Sequence, residues 1–506
     1  MTHPQHTDAS RLSADTELTA EVVVIGTGAG GAAVARELAE AGRDVLLLEE
    51  GPWVTAADYG KLGTLDATRL LYRDAGLTAS RGAPPVLLPM GRAVGGTTVI
   101  NLGTVLRMQP EHFARWQEAG IARLTYAELS AAYDRVEELM PSRPVADAVI
   151  GPNTRMLMDG LAKLAIPGEV LTRNAPDCRG AGRCFLGCPT DAKRGVHLDW
   201  IPRALGRGAR LVTGVRAERV LVESGRAAGV EGSVLGPNET RRHRFTVRAG
   251  RVVVACGALL SPVLLHASGL GKRHPASGAN LGVHPACRAI GLYDAPVRGQ
   301  AGVPQAYHAP VSSPGEMYVE TAFLPPALMG PALPGFGPEH QKLMQRYDHF
   351  ALAGFRIIET ERGSVKRAIG GMPAIDYALC ARDLATVRAG LKLSARLLFE
   401  TGAQRVFIPV HGLDTLESPN DISKIDDPRI EASDLELSGY HVHGTLRMGP
   451  DPRTSVVAEN GAYHGVPGLY VADASLFPTS SRVNPQHTVM ALATLIARGM
   501  VNERPA

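Results

Sequence analysis

The hydrophobic positions fall into two rhythms, and both appear near the N-terminus. EVVVIG (21–26) is an unbroken β-branched run ending in glycine, the pattern of a strand covered on both faces. Downstream, Val34, Leu38 and Ala41 share one helical face, and Gly42 closes that helix. RDVLLLEEG (43–51) returns as a second buried strand, which completes a β-α-β unit. Residues 1–20 are polar and aperiodic and read as a flexible tail. From 52 to 90 the pattern dissolves into turns, and GRAVGGTTVINLG (91–103) follows as a second glycine-rich element. Residues 110–170 are mostly helical in pattern, whereas 211–223 and 241–259 alternate like strands. Residues 290–345 are rich in Pro and Gly, as in loops laid over a site. Leu384, Val387, Leu391 and Leu398 mark an amphipathic helix closed by Gly402. From His441 a dense series of short motifs ends in the helix TVMALATLIARG. No repeat or low-complexity segment is visible, so the pattern is one nucleotide-binding fold interrupted by insertions.

Composition narrows the class. The 506 residues are 45% hydrophobic and 20% charged, with 53 Lys+Arg against 50 Asp+Glu. A balance that even, +3, does not suit a nucleic-acid binder. No apolar run reaches the roughly 20 residues of a membrane helix; Thr488–Val501 is short and carries Arg498. The first 21 residues have no signal-peptide or twin-arginine pattern, so the expected location is cytoplasmic. Six cysteines in so long a chain do not make a disulfide scaffold.

Gly26, Gly28 and Gly31 form G-x-G-x-x-G between the first strand and helix. The first permits a tight turn, the second lets backbone approach a pyrophosphate, and the third allows close helix–strand packing. Glu49, ending the next strand, is placed for ribose hydroxyls and argues against a 2′-phosphate. The site is a dinucleotide site, open to NAD or FAD. Motifs at both ends of the chain favour the long FAD molecule.

VVVIGTGAGGAAVARELAEAG with LLLEEG, then GRAVGGTTVIN, VVVACGALLSPVLLHASGLG and ANLGVHP, occur in one order with HVHGTLRMG, GLYVADASLFP and NPQHTVMALA. In that order and spacing the chain resembles the glucose–methanol–choline (GMC) oxidoreductase family over nearly its whole length. The resemblance implies an α/β (α+β overall) architecture: a Rossmann-like FAD-binding domain interleaved with a substrate domain built on an antiparallel sheet with helices. The expected division is an FAD domain from 21–110, 201–290 and 431–506, a cap region at 111–200, and a substrate domain at 291–430. Gly26, Gly28, Gly31 and Glu49 match ADP-binding positions, as do Ala217 and Ala255. Arg92, Gly95, Gly96, Thr97 and Asn101 match the segment along the pyrophosphate and isoalloxazine; Asp473, Ala474 and Thr488 match positions near the ribityl chain and flavin ring. Some members link FAD to a histidine just before the asparagine of the second motif. Ile100 stands there, so FAD is expected to be non-covalent.

His441 matches the family's catalytic histidine, and Asn484 the second member of its reacting pair. A neutral imidazole is a suitable base for a hydroxyl proton near pH 7, and an asparagine can hold the oxygen without titrating. His443 and His487 lie beside motifs and read as structural; His284 reads as part of a loop that shapes the fold.

Cys178, Cys184 and Cys188, in the spacing C-x5-C-x3-C, resemble a segment of the branch with long-chain alcohol oxidases and bacterial sugar or gluconate dehydrogenases. Some of those dehydrogenases hold a [3Fe-4S] cluster on three such cysteines. The alternative is a tight loop of free thiols or one disulfide. Ala181, near the place of a further cysteine in related segments, favours the loop.

The expected activity is FAD-dependent oxidation of an alcohol, with oxygen or a redox partner as electron acceptor. Lyase or photodecarboxylase chemistry on the same fold, or flavin binding without catalysis, are the rivals.

Overall fold

The computed structural model describes residues 3–320 and 322–503. Two sheets organise it. The first runs in the order His6–Asp8, Arg210–Thr213, Val45–Glu49, Thr16–Ile25, Arg241–Val254, Arg226–Leu235, Val215–Glu223. Its centre is parallel, and Val22, Val23 and Val24 are fully buried there because helices cover the layer. The strand Arg241–Val254 forks. Its first half pairs antiparallel with Arg226–Leu235, and its last three residues pair parallel with Leu469–Val471. Helix Ala29–Glu40 packs against the closing helix Gln486–Asn502, so the two ends of the chain share one core.

The second sheet is antiparallel through its centre: Thr415–Leu416, Arg405–Phe407, Pro285–Leu292, Phe350–Ile357, Met317–Glu320, Tyr307–Val311 and Glu169–Val170. Along Phe350–Ile357, Ala351, Ala353 and Phe355 pack into the core that helix Ala381–Glu400 completes. The alternate residues Leu352, Gly354 and Arg356 line the large cavity between the sheets. Gly390 lets the helix approach that strand, since a Cβ there would lie 2.3 Å from the Phe355 ring.

Four sequence expectations change. Residues 52–90, expected to be turns, include the helices Ala56–Tyr59 and Thr64–Leu71. The tail is not loose where it is described: His6–Asp8 is an edge strand parallel to Arg210–Thr213, and the His6 ring packs 5.2 Å from Trp53. The alternating run 211–223 is two strands, broken at Gly214 with φ 75°. Residues 290–345, expected to be loops, supply strands Tyr307–Val311 and Met317–Glu320 and helices Pro326–Ala332 and Gly337–Gln345. Pro326 and Pro338 sit in the first turn of their helices, where a lost N–H costs little, while Pro331 lies inside the helix Pro326–Ala332.

Gly30, which no motif singles out, has a packing reason: a Cβ would lie 1.7 Å from the Ala472 carbonyl oxygen. Gly30→Ala should therefore destabilise the fold by about 1–3 kcal/mol, the usual cost of overpacking. Denaturant unfolding of the purified variant checks this; an unchanged midpoint would refute it.

Candidate active site

A cavity of about 860 Å³ runs between the sheets from the first glycine turn to the C-terminal motifs. Gly28, Ala29 and Gly30 line one end, at the start of helix Ala29–Glu40, where no side chain caps the first turn. Uncapped N–H groups at the positive end of a helix dipole can receive an anionic group. A Cβ at Gly28 would meet nothing within 4 Å, so the backbone there is open to a ligand. The other two motif glycines serve packing. A Cβ at Gly26 would lie 2.4 Å from Ala255 O at φ +98°, and one at Gly31 would lie 1.9 Å from Gly26 O.

Glu49 holds this end together. One carboxylate oxygen accepts from Thr27 N (3.1 Å) and Thr27 Oγ1 (2.5 Å), and the other accepts from Gly51 N (2.8 Å). Burial raises its pKa, and these donors oppose the rise. Thr27 Oγ1 in turn accepts the Gly95 N–H at 3.1 Å, which ties in the second glycine element. Gly96 then faces Gly28, where a Cβ would be 3.0 Å from the Gly28 Cα. Arg92, Thr97, Asn101, Ala217 and Ala255 line the same cavity. Glu50 was missing from the sequence reading. It also lines the cavity, in ion pairs with Arg73, Arg92 and Arg216. Burial opposes its ionisation, but Arg73 and Arg216 outweigh that and hold its pKa at about 2. Its arginines are remote in sequence, so no local signal marks it.

Asp473 and Ala474 line the cavity beyond this. Asp473 accepts from Gly257 N (2.9 Å), Ser261 Oγ (2.5 Å) and Ser475 N (2.8 Å). Gly31, Gly95 and Thr488 stand behind the wall. Thr488 is fully buried and shares a 2.8 Å hydrogen bond with the Tyr133 hydroxyl, while Gln486 and Val489 from the same helix reach the cavity.

His441 and Asn484 converge on the wall near these residues, with Asn484 Nδ2 3.0 Å from His441 Nε2. Asn484 Oδ1 is buried without a hydrogen-bond partner. The other imidazole nitrogen of His441 meets His284 Nδ1 at 3.1 Å, and His284 Nε2 meets Ser480 Oγ at 2.6 Å. His284, read from sequence as loop-shaping, thus touches the reacting histidine. It does both: its φ is +48°, and Glu359 clamps the turn by accepting from Val283 N (2.9 Å) and His284 N (3.1 Å). His443 is structural. Its Nδ1–H donates to the His441 carbonyl at 2.7 Å, and Nε2 takes Arg362 Nη1 at 3.3 Å. His487 is fully buried against Tyr133. Burial, followed by the charge of Arg356 and the neighbouring His443, lowers the pKa of His441 well below its usual value.

The cysteine loop does not support the iron–sulfur expectation. Among the described residues no three His, Cys, Asp or Glu side chains form a metal-sized group. Arg173, buried, sends Nη2 to Cys184 Sγ at 3.2 Å and Nη1 toward Cys178 Sγ at 4.0 Å. Cys188 Sγ accepts the Lys193 backbone N–H at 3.4 Å. The Lys193 ammonium is buried and donates to the carbonyls of Val99 (2.7 Å), Asn101 (2.5 Å) and Cys184 (3.0 Å). Two buried cations thus stand beside the thiols, and the loop braces the second glycine element.

Comparison with known proteins decides the family. Residues 68–286 match the GMC oxidoreductase N-terminal family model, and 360–493 match the C-terminal one. The chain is a GMC oxidoreductase. An uncharacterized GMC-type oxidoreductase of Mycobacterium tuberculosis is 38% identical over 494 residues, covering 96% of this chain and 77% of the relative. The Arabidopsis thaliana long-chain-alcohol oxidase FAO4B is 27% identical, covering 95% and 67%. The pyridoxine 4-oxidase structure from Mesorbium loti superimposes with a TM-score of 0.74 at 21% identity, covering 96% of this chain and all of that one. Formate oxidase from Aspergillus oryzae gives 0.72 at 16%. As a GMC oxidoreductase the chain is an enzyme on an FAD-binding fold, and the cradle described above fits FAD. None of the described helices is long and apolar enough to cross a membrane.

Two outcomes follow for this GMC oxidoreductase. Because Ile100 borders the cavity and cannot form a histidyl link, denaturation should release free flavin; colour that stays with the chain would refute this. Glu49→Ala should lower flavin occupancy while turnover per bound flavin stays near that of the parent, because the change loosens uniform binding. Occupancy-corrected kcat is the check.

Proposed function

We propose that this enzyme oxidises the CH–OH group of an alcohol to a carbonyl, with His441 as the base and Asn484 as the residue that holds the oxygen. The observation that carries the reading is the 3.0 Å pairing of His441 Nε2 with Asn484 Nδ2 on the cavity wall. Relatives named as alcohol oxidases support the substrate class. When bound, FAD supplies the two-electron acceptor for the hydride that leaves the carbinol carbon.

The chain's own part is proton handling and alignment. Asn484 Nδ2 can only donate, so Nε2 carries the lone pair that accepts it and the proton of neutral His441 sits on Nδ1; an alcohol hydroxyl displaces that contact when it gives its proton to Nε2. That fixes the relay outward: His441 Nδ1–H donates to His284 Nδ1, and His284 Nε2–H donates to Ser480 Oγ. The opposite relay would place a proton on His441 Nε2 and abolish the base. His284 is therefore a positioning residue that selects the tautomer. Asn484 Nδ2 donates to the alcohol oxygen while that oxygen gives its proton to Nε2. His443 holds the His441 backbone, and Asn101, Arg92, Gly96 and Thr97 line the cofactor side. The pair favours oxidation over photodecarboxylation, which has no hydroxyl proton to remove.

His441→Ala should retain flavin and slow its anaerobic reduction by alcohol about 10²–10⁴-fold. Near-normal reduction would place the base elsewhere. The pH profile gives a second check. The base acts as neutral imidazole, and burial lowers its pKa, so the neutral form persists below pH 6.5. Flavin reduction should stay level as pH falls through 6.5 and decline only further into acid. A decline centred near the ordinary histidine value would contradict this.

A further inference from the structure

We propose that Arg356 is an anion anchor in the alcohol pocket, and that the preferred substrates are alcohols that also carry a carboxylate. The substrate class rests on the alcohol-oxidation reading; the anchor does not. Arg356 lies on Phe350–Ile357, paired with Ala286 on one side and Tyr318 on the other. Its side chain is only 1% exposed, yet it lines the cavity that His441 and Asn484 line. Nη1 reaches the Arg482 carbonyl at a long 3.4 Å, and the guanidinium lies 4.2 Å from the Tyr318 ring centre. Nε and Nη2 are buried with no hydrogen-bond partner. Glu320 Oε1 forms an ion pair with Nε at 3.4 Å, outside hydrogen-bonding geometry, and Glu320 Oε2 has no hydrogen-bond partner.

A buried guanidinium with idle N–H groups is costly unless something else fills them. The glycine segments that would hold the cofactor lie at the first strand–helix turn and at 91–103, whereas Arg356 projects from the second sheet. A planar fork whose Nη2 has no hydrogen-bond partner and whose Nε and Nη1 contacts are long suits a carboxylate, which it can grip through Nη2 and one neighbouring nitrogen. Tyr318 fixes the plane of the fork, and Glu320 keeps the site from being strongly cationic when empty. Leu324, Leu328 and Leu352 line the same cavity and leave apolar room for a short carbon chain.

The test is equilibrium titration of the oxidised holoenzyme, followed by flavin absorbance, with acetate, butanoate and hexanoate against the matching amides. The carboxylates should bind at least tenfold more tightly than the amides. Arg356→Met should erase that preference with flavin content unchanged, and Arg356→Lys should restore part of it. Glu320→Gln should tighten carboxylate binding, whereas a purely structural ion pair would weaken it or do nothing. Equal binding of acids and amides, an equal loss for both in Arg356→Met, or loss of flavin from both Arg356 variants would overturn the proposal. Anaerobic reduction by 4-hydroxybutanoate against 1,4-butanediol separates this from the broader reading. Carboxylate selectivity in titration without reduction by either compound sinks alcohol oxidation and leaves the anchor. Reduction by the diol with no carboxylate preference does the reverse.

Discussion

One buried carboxylate governs the geometry of the cofactor end. Glu49 receives Thr27 through both its backbone and its hydroxyl, and receives Gly51 on the other oxygen. Because the Thr27 hydroxyl also accepts from Gly95, three distant segments are fixed around a single side chain. Burying such a charge is favourable only with its lone pairs engaged, and here they are. The consequence is that Gly96 packs directly against Gly28, where a Cβ at Gly96 would lie 3.0 Å from the Gly28 Cα, while the Gly28 backbone itself stays open to the cavity.

At the opposite end the constraint is neutrality. His284, His441 and His443 lie close together, with ring centres 5.2 Å apart for the first pair and 5.1 Å for His284 and His443. Three imidazoles this close, next to Arg356 and Arg362, cannot all charge. Burial, and then the neighbouring charges, push His284 and His441 well below the usual value, and burial with Arg362 takes His443 to about 3. Each ring therefore donates through one nitrogen and accepts through the other, and the order of donors along the chain of contacts is set from its ends.

What could be read from the sequence follows from how local each signal is. The G-x-G-x-x-G turn, Glu49, the second glycine element, His441 and Asn484 are written in short motifs, and the structure brings them to one cavity. Glu50, His284 and Arg356 were missed as site residues because their partners lie far off in sequence. Glu50 looks like the spare member of an acidic pair, and Arg356 stands in an apolar run, FALAGFRII (350–358), that no motif marks. His284 was in a recognised motif, and its positive φ gave no warning of the side-chain contact. The cysteines were legible only as a pair of alternatives: close spacing left a metal site open while Ala181 favoured a loop, and spacing cannot reveal that Arg173 and Lys193 stand among them.

The forked strand Arg241–Val254 has a kinetic consequence. It pairs with Thr16–Ile25 and, at its last three residues, with Leu469–Val471, partners that lie more than 200 residues from it in opposite directions along the chain. Helix Gln486–Asn502, which packs on Ala29–Glu40, closes an even longer loop. Loop-closure entropy must be met over these separations before the central layer is sealed, which makes the layer slow to complete. Removing Leu469–Val471 would leave the end of that strand without its parallel partner.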